Sequence, residues 1–560
     1  MPQNTKPFVD RKEAIDLFER FIDFEKPIKK PFLNFYGMSG IGKSFLIDYL
    51  TETYLHNIAF IHISFEPGAG DYDYNFIINQ IIRVLRPKTD AAESFRQFKE
   101  KRDQWLDESK KQINRIENTI LASGGSTIDI GTSSQNVTLE KLRTETRHRI
   151  TQAFFDALDK IAPGPLLIIL DAIENLLPET GIEKETPDYA GWLINFLLQI
   201  ADIMPTARVM LSGRNHIRYD SLNTKCNFWE LLHLPSDDVV DYLQQLGIKD
   251  EDLISAIYGI TNGYSLSVAM AGELWIESKG SLCEEDLTTE EFTHAYNNKL
   301  VPELLMRRIM DRADDHIKPM IKYAGFFRYF TYQVLKETLI PDLREEDFQR
   351  FIKYSFISKT GRHYQYHAEL RRLVTGNYLE QDSKNFRRDH ETIYQYFNNQ
   401  ESIEKDNDRR NHDEQFYYGI YGQVEGVFEE WENTCYRYYN TWQTENLKLI
   451  LDMIDEIQQL FSDKQKSDIY SAKGKLFERY YEWDKALEHY FKSEQILIDV
   501  GDKAGRGYTS LNIATVYYRQ NDKTAIRYID RSVAIFTKLG ASHELEIAEQ
   551  RQNDIHKKFD

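Results

Sequence analysis

The sequence predicts a multidomain protein in which a parallel α/β domain comes first and mainly α-helical domains follow. Within residues 1–215, four apolar runs typical of strands alternate with helical stretches, which is the order of a parallel sheet. After about residue 385 the chain reads as helical and repeats itself at a spacing of 39 residues. Because 560 residues are too many for one hydrophobic core, we expect three or four domains.

The composition favours a globular protein, with 41% hydrophobic and 28% charged residues. A net charge of −19 argues against nonspecific binding to nucleic acid or to an anionic membrane. Cys226, Cys283 and Cys435 are far apart and fit neither a disulfide framework nor a metal site, which favours a reducing compartment. Since no apolar run approaches the ~20 residues of a membrane span, we expect a cytoplasmic protein.

Residues 37–44, GMSGIGKS, match the phosphate-binding pattern G-x-x-x-x-G-K-[ST]. The apolar run PFLNFYG precedes them and the helical stretch SFLIDYLTETYL follows, which is the context that the pattern needs; the alternative is a glycine-rich turn that matches by chance. Lys43 is expected to reach the β- and γ-phosphates of a nucleotide, and Ser44 to hold Mg²⁺. The predicted nucleotide-binding residues here are Gly37, Met38, Ser39, Gly40, Ile41, Gly42, Lys43, Ser44 and Phe45.

An all-apolar run, LLIILD, ends in Asp171. Such a run is typical of a central parallel strand, and an acid at its carboxyl end lies at the ligand-binding edge of the sheet. Asp171 is therefore the predicted Mg²⁺-side carboxylate, and the alternative is an acid that merely ends a strand. Glu174 is the nearest candidate to polarise a water molecule, with a solvated acid at a helix start as an equal alternative.

Two further apolar runs complete the predicted sheet, NIAFIHISF at 57–65 and ARVMLSGRN at 207–215. The second ends in Arg214, a cation suited to contact a γ-phosphate. The alternative for Arg214 is a surface arginine in a loop. Together with Asp171 and Glu174, it makes up the predicted catalytic group.

These motifs, in this order, resemble the STAND class of P-loop ATPases, signal-transduction proteins that include the NB-ARC and NACHT switches. FVDRKEAIDLF (8–18) looks like the segment that touches adenine in the class, so the resemblance adds Val9 and Arg11 to the predicted nucleotide contacts. GMSGIGKS and LLIILD match its phosphate and metal motifs, and LSGRN looks like its sensor strand with Arg214 in the sensor position.

The later motifs resemble the lid and the winged helix of the class. WELLHLPSDDVVDYL (229–243) and TNGYSLSVAMAGEL (261–274) look like the junction to the lid and the start of its helix. Here Ser265 stands where relatives usually carry proline. Ala172 stands where many of them carry a second acid, so efficient hydrolysis depends on whether Glu174 substitutes.

YQYHAELRRLV (364–374) resembles the end of the winged helix, where a histidine contacts the β-phosphate of ADP. The resemblance thus makes His367 a nucleotide contact. The residues alone favour another interpretation, in which His367 caps a strand at a helix start. The nearby segment EEDFQRFIKY is balanced in charge, so DNA recognition by this domain is not predicted.

The predicted domains are a P-loop NTPase core at 1–215, a helical lid at 216–295, a winged helix at 296–380 and tetratricopeptide-like repeats at 381–560. A helical insertion at about 86–150 interrupts the core. Its polar, glycine-rich stretch 122–138 is predicted to be a surface loop, or else an interaction arm that orders on assembly. The apolar seam of its long solvated helix comprises Phe95, Phe98, Trp105, Ile113, Ile116 and Ile120.

Small residues recur at the 39-residue spacing, and three pairs show it: Ala486 and Ala525, Ser493 and Ser532, Gly501 and Gly540. Small side chains at fixed positions let two helices pack closely, so the period predicts a helical-hairpin solenoid. An aromatic group in the same region is predicted to pack between helices, or else to form a recognition surface. It comprises Phe416, Tyr417, Tyr418, Tyr436, Tyr438 and Tyr439.

The resemblance implies an ATP/ADP-controlled switch with Mg²⁺ as cofactor and slow ATPase activity. A ligand or protein trigger would bind the repeats, and exchange to ATP would lead to a homo-oligomer that signals through a separate effector. Bacterial antiviral defence and regulation of transcription are the contexts that the resemblance suggests. Two other classes stay open, a remodelling ATPase related to AAA+ machines and an adaptor in which nucleotide is only structural.

Overall fold

The computed structural model describes residues 11–65, 74–85, 89–122, 134–160, 164–175, 189–217, 219–297, 300–360, 363–400, 408–440, 443–454 and 460–559. The chain forms two compact units. The first, the core unit, comprises Met1–Phe98, Thr151–Glu185 and Tyr189–Arg410, and the second, the repeat unit, comprises Lys99–Ile150, Thr186–Asp188 and Asn411–Asp560. The bounds of the four domains predicted from the sequence stay predictions.

The core unit contains a parallel sheet of five strands in the order β2-β3-β4-β1-β5. The strands are β1 Phe32–Tyr36, β2 Ala59–Ser64, β3 Leu166–Asp171, β4 Ala207–Gly213 and β5 Cys226–Glu230. Every residue of β3 and β4 is buried, which explains why these two strands read as continuous apolar runs. The predicted parallel α/β core is confirmed.

Helices precede and connect the five strands along the chain. They are α1 Lys12–Phe21, α2 Lys43–Tyr54, α3 Tyr74–Leu85, α4 Thr89–Ala122, α5 Ser134–Leu158, α6 Tyr189–Ile203 and α7 Asp220–Asn223. Ile15 and Phe18 of α1 pack in one apolar cluster with Leu33 of β1 and Leu46 of α2. This cluster fixes the start of α2, and therefore the loop that precedes it, against the sheet.

The helical insertion is a pair of long helices, α4 and α5. Phe95 and Phe98 of the predicted seam are buried on Phe154, at ring-centroid distances of 6.3 and 5.9 Å, and Trp105 and Ile113 are half-buried. The side chains of Ile116 and Ile120 lie outside the described residues, as does 123–133 of the predicted loop. Helix α5 begins at Ser134, inside that predicted loop, because serine is a favoured residue at a helix start and polarity does not exclude a first turn.

The chain after the sheet is helical and then forms a hairpin. The helices are α8 Ser236–Gln245, α9 Glu251–Thr261, α10 Ser265–Glu277, α11 Glu284–Leu287, α12 Glu290–Asn297, α13 Val301–Arg312, α14 Lys318–Tyr323, α15 Tyr332–Thr338 and α16 Glu345–Phe351. Strands β6 Ile357–Thr360 and β7 His363–Tyr366 then pair antiparallel, and Phe330 bridges to Tyr364 of β7. Three short helices followed by this small sheet are typical of a winged helix.

The repeat unit contains helical hairpins. Helices α17 Ala368–Gln381 and α18 Ser383–Gln400 precede it, and the later helices are α19 Asp408–Tyr421, α20 Val427–Asn440, α21 Thr444–Ile454, α22 Asp463–Arg479, α23 Trp483–Asp499, α24 Lys503–Arg519, α25 Thr524–Leu539 and α26 Ser542–Phe559. The repeated small residues Ala486, Ser493, Ala525 and Ser532 are fully buried. Gly501 and Gly540 adopt positive φ angles of 76° and 66° at equivalent helix ends. The predicted helical solenoid is confirmed.

A buried carboxylate ties four helices of the repeat unit together. Glu478 of α22 accepts hydrogen bonds from the Tyr439 hydroxyl of α20 at 3.1 Å, from Arg519 of α24 at 3.0 Å and from the Tyr490 hydroxyl of α23. In the predicted aromatic group, every residue except the half-buried Tyr436 is buried, which supports packing rather than recognition.

Candidate functional site

The phosphate loop lies between β1 and α2, and α2 begins at Lys43. Gly40 and Gly42 have φ angles of 72° and 93°, so the chain needs glycine at these two bends. A Cβ atom on Gly40 would lie 2.0 Å from the Tyr264 hydroxyl oxygen, which excludes any side chain there. The first N–H groups of α2 have no partner within the helix and suit an anion at its end.

Lys43 turns back over the first half of the loop. Its Nζ donates hydrogen bonds to the carbonyl oxygens of Gly37 at 2.7 Å and Met38 at 2.9 Å. The Met38 side chain is 53% exposed, whereas Ile41 is buried in the apolar cluster, so Ile41 offers a ligand only its backbone. Phe45 lies in the first turn of α2 and is 39% exposed.

Ser44 and Asp171 meet at the end of the sheet. The Ser44 hydroxyl donates to Asp171 Oδ2 at 2.9 Å, and Asp171 is buried as the last residue of β3. A hydroxyl and a carboxylate are oxygen ligands of the kind that Mg²⁺ prefers. The described residues therefore fit the predicted metal pair.

An unusual turn after Asp171 places Glu174 at the same edge of the sheet. Ala172 has a positive φ of 55°, and Ile173–Asn175 form a 3-10 turn. Glu174 is 20% exposed, and its Oε2 is buried with no hydrogen-bond partner among the described residues. Burial raises the pKa of Glu174 above its ordinary value, and the charges of Lys43 and Arg214 oppose that shift. A carboxylate with a raised pKa is a suitable proton acceptor.

Arg214 follows β4 and forms an ion pair with Glu174, with 3.3 Å between Nε and Oε1. Strands β3 and β4 are parallel neighbours, so the residues after them meet at one edge of the sheet. Arg214 is 47% exposed but belongs to the site through this pair, unlike an unattached surface arginine.

Arg11 links the phosphate loop to Leu232 and Ser265 through hydrogen bonds. Its guanidinium donates to the carbonyl oxygens of Ile41 at 2.6 Å and Leu232 at 2.8 Å, and to the Ser265 hydroxyl at 3.3 Å. Val9, the other residue predicted in this segment, lies outside the described residues.

The start of α10 closes onto the loop through three hydrogen bonds. The Tyr264 hydroxyl donates to the Ser39 carbonyl at 2.8 Å, the Ser265 hydroxyl to the Ile41 carbonyl at 3.1 Å, and the Leu266 N–H to the Gly40 carbonyl at 3.1 Å. Sequence reasoning noted only that Ser265 replaces a proline. It missed Tyr264 and Ser265 as loop contacts, because their partners are backbone carbonyls that no sequence pattern marks.

His367 immediately precedes α17, and its side chain makes no capping hydrogen bond to that helix. This observation disfavours the capping interpretation. Burial lowers the pKa of His367, and the charges of Arg214 and Lys43 lower it further while Glu369 opposes them. Its Nδ1 is buried without a hydrogen-bond partner among the described residues. The structure therefore brings His367 into the electrostatic surroundings of the phosphate loop.

A phosphate loop between β1 and α2, with the Ser44–Asp171 pair at the edge of a parallel sheet, defines a P-loop NTPase. Helices, a short antiparallel hairpin and helical repeats follow the core along the chain, in the order that the sequence predicts. Within the described residues, no helix is both long and apolar enough to cross a membrane.

Two examples represent the solved structures to which the chain is similar. One is a Signal Transduction ATPase with Numerous Domains (STAND) protein with a tetratricopeptide repeat sensor, PH0952 from Pyrococcus horikoshii, over 99% of this chain and 75% of that one, at 14% identity and a TM-score of 0.45. The other is Cdc6p from Pyrobaculum aerophilum, over 68% and 97%, at 13% identity and a TM-score of 0.30. No family model and no curated protein matches the chain. The function proposed below is therefore argued from the residues of the site.

Proposed function

We propose that this protein is a nucleotide-controlled switch that holds ADP in a closed core unit and releases it when triggered. One observation carries the proposal: Tyr264 and Ser265 of the lid contact the phosphate loop, while His367 lies among its charges. A nucleotide site covered by the lid on one side and by His367 on the other would retain its ligand and exchange it slowly. A switch requires such slow exchange, whereas an enzyme with rapid turnover does not.

Each residue has a distinct role in this mechanism. Lys43 binds the β- and γ-phosphates, and Ser44 with Asp171 would hold Mg²⁺, which would neutralise phosphate charge. Glu174 accepts the proton of the attacking water, and Arg214 reads the γ-phosphate. In the closed site Glu174, the proton acceptor, already forms an ion pair with Arg214 before ATP binds. We therefore infer slow hydrolysis that resets the switch.

The proposal extends to partners that remain predictions. A protein or ligand trigger would bind the repeat unit and shift the equilibrium only through its differential affinity for the open state. Exchange to ATP would expose a surface for homo-oligomerisation, and a separate cytoplasmic effector would produce the response, with bacterial antiviral defence or transcriptional regulation as contexts.

Lys43→Ala, with Lys12→Ala at an exposed position of α1 as its control, tests the proposal. The nucleotide bound to the purified proteins would be identified, and hydrolysis rate and mass measured with ADP and with a nonhydrolysable ATP analogue. A switch gives copurified ADP, slow turnover and an assembly that Lys43→Ala abolishes. Fast, steady hydrolysis lost in Lys43→Ala would favour a remodelling ATPase instead. Partner binding that is unchanged in the variant would favour an adaptor.

A further inference from the structure

The backbone carbonyl oxygens of residues 37–41 in the phosphate loop all accept hydrogen bonds. Lys43 Nζ donates to the first two, at 2.7 and 2.9 Å. The start of α10 donates to the next three, through the Tyr264 hydroxyl at 2.8 Å, the Leu266 N–H at 3.1 Å and the Ser265 hydroxyl at 3.1 Å. The second half of the loop therefore takes its hydrogen bonds mainly from the lid.

These hydrogen bonds set the direction of the N–H groups in the loop. A peptide unit is planar and trans, so its N–H points opposite to its carbonyl. Holding the Ser39 and Ile41 carbonyls on α10 therefore directs the N–H groups of Gly40 and Gly42 away from α10. Both glycines have positive φ angles, which let the chain turn at each of them. In phosphate loops, backbone N–H groups of this kind bind the phosphates of a nucleotide.

The start of α10 is also held by the segment that follows β5. The Leu234 N–H donates to the Gly263 carbonyl at 2.8 Å, and His233 Nδ1 lies 2.8 Å from the Asn262 carbonyl oxygen. A Cβ atom on Gly263 would lie 2.0 Å from the Leu234 carbonyl oxygen, so the two backbones are in direct contact. Because this contact fixes the residue before Tyr264, the donors of α10 reach the loop at defined positions.

We propose that Tyr264 is a positioning residue that keeps the phosphate loop in the conformation that binds a nucleoside diphosphate. The inference rests on the proposed function and gives the lid a role beyond covering the site. A lid that touches neither ligand nor loop changes the rates of entry and release equally and leaves the equilibrium affinity unchanged. A lid that orients the loop changes the affinity itself, and by linkage a bound diphosphate then stabilises the docked lid to the same extent.

Inorganic pyrophosphate tests this proposal, because it can occupy the phosphate loop and lacks the nucleoside. The affinities of ADP and pyrophosphate would be measured by displacement of a fluorescent ADP from the full chain freed of nucleotide. Tyr264→Phe should weaken both ligands by the same factor, about 2- to 10-fold for one lost hydrogen bond. Tyr296→Phe removes the hydroxyl of an exposed tyrosine on α12 and should match the wild type.

Ser265→Ala provides a second, independent variant. It removes one donor from the Ile41 carbonyl, which keeps the Arg11 guanidinium at 2.6 Å. We therefore expect the same pattern as in Tyr264→Phe, with equal losses for ADP and pyrophosphate but of smaller size.

Two results would overturn the proposal. Weaker ADP with unchanged pyrophosphate in Tyr264→Phe would mean that the lid acts on the nucleoside and not on the loop. Unchanged affinities for both ligands in Tyr264→Phe would mean that the lid is only a cover. If the wild type binds neither ADP nor pyrophosphate, the proposed function itself fails. If it binds both and Tyr264→Phe matches it, only this inference fails.

Discussion

The Ser44 hydroxyl and the Asp171 carboxylate lie 2.9 Å apart, although 127 residues separate them in the chain. Strands β1 and β3 both pair with β4, so the loop after β1 and the end of β3 reach the same edge of the sheet. Two oxygen ligands at this edge suit one divalent cation. The sheet order thus assembles the metal pair from two distant motifs.

Asp171→Asn should make ADP binding insensitive to Mg²⁺. The wild type should lose affinity when EDTA replaces Mg²⁺, by roughly 10-fold or more for the loss of a charged metal ligand, whereas the variant should be equally weak in both buffers. Asp16→Asn, on the exposed side of α1, provides the charge-matched control. Titration of ADP with and without Mg²⁺ makes the measurement, and a retained Mg²⁺ effect in Asp171→Asn would contradict the assigned metal pair.

Ser265→Ala should loosen the closure of the lid over the phosphate loop. It removes the hydrogen bonds that Ser265 makes with the Ile41 carbonyl and with Arg11. Since a net hydrogen bond contributes about 0.5–1.5 kcal/mol, ADP should dissociate roughly 2- to 10-fold faster. Stopped-flow measurement of fluorescent ADP release gives the rate, with Ser255→Ala at an exposed position of α9 as the control. Equal release in all three proteins would show that the lid does not retain nucleotide.

Glu174→Gln should stabilise the core unit while slowing hydrolysis. Burial raises the pKa of Glu174, so the folded state disfavours its charged form, and this cost is present at pH 8 and absent below the ordinary carboxyl pKa of 4.5. Glutamine carries no charge and so removes this cost of burial. We expect the melting temperature of the transition that shifts with ADP to rise by about 1–2 °C at pH 8.

The advantage of Glu174→Gln over the wild type should shrink as the pH is lowered from 8 toward 5, because Glu174 then becomes protonated. Glu13→Gln, an exposed acid of α1, should show no such trend. Differential scanning calorimetry at several pH values measures the melting temperatures of both variants and the wild type. A variant that melts below the wild type at pH 8 would indicate that the Arg214 ion pair outweighs the burial of Glu174.

Ser493→Leu should destabilise the repeat unit. Ser493 is fully buried and its hydroxyl lies 2.8 Å from that of Ser467 on α22, so a larger side chain forces the two helices apart. Overpacking of this kind costs about 1–3 kcal/mol. Gln495→Leu also introduces a leucine on α23, but at an exposed position, and should be near neutral. Urea unfolding followed by circular dichroism compares them, and equal midpoints would contradict the close packing.

Local patterns predicted the parts of the site that lie within one segment. The phosphate loop and the apolar run ending in Asp171 each depend on neighbouring residues, and each has its expected structure. The 39-residue period depends on repeated small residues instead, and these are buried as expected. The pairing of Glu174 with Arg214 required the strand order, because only adjacent strands bring those two residues together.

The contact between Tyr264 and Ser39 spans 225 residues and involves one hydroxyl and one backbone carbonyl. A carbonyl is present at every position, so no sequence pattern marks it as a partner. The missing proline at Ser265 signalled a local difference, but the hydrogen bonds that replace it follow from the packing of α10 on the loop. Contacts of this kind come from tertiary structure alone.

The carboxylate of Glu478 has a consequence for how the repeat unit comes apart. Helical repeats generally hold only their immediate neighbours and can peel away one at a time from an end. Glu478 joins α22 to α20, α23 and α24 at once, so detaching any of these strips a buried charge of a donor. Under a pulling force, we expect these four helices to give way together in one step, while α26 frays independently.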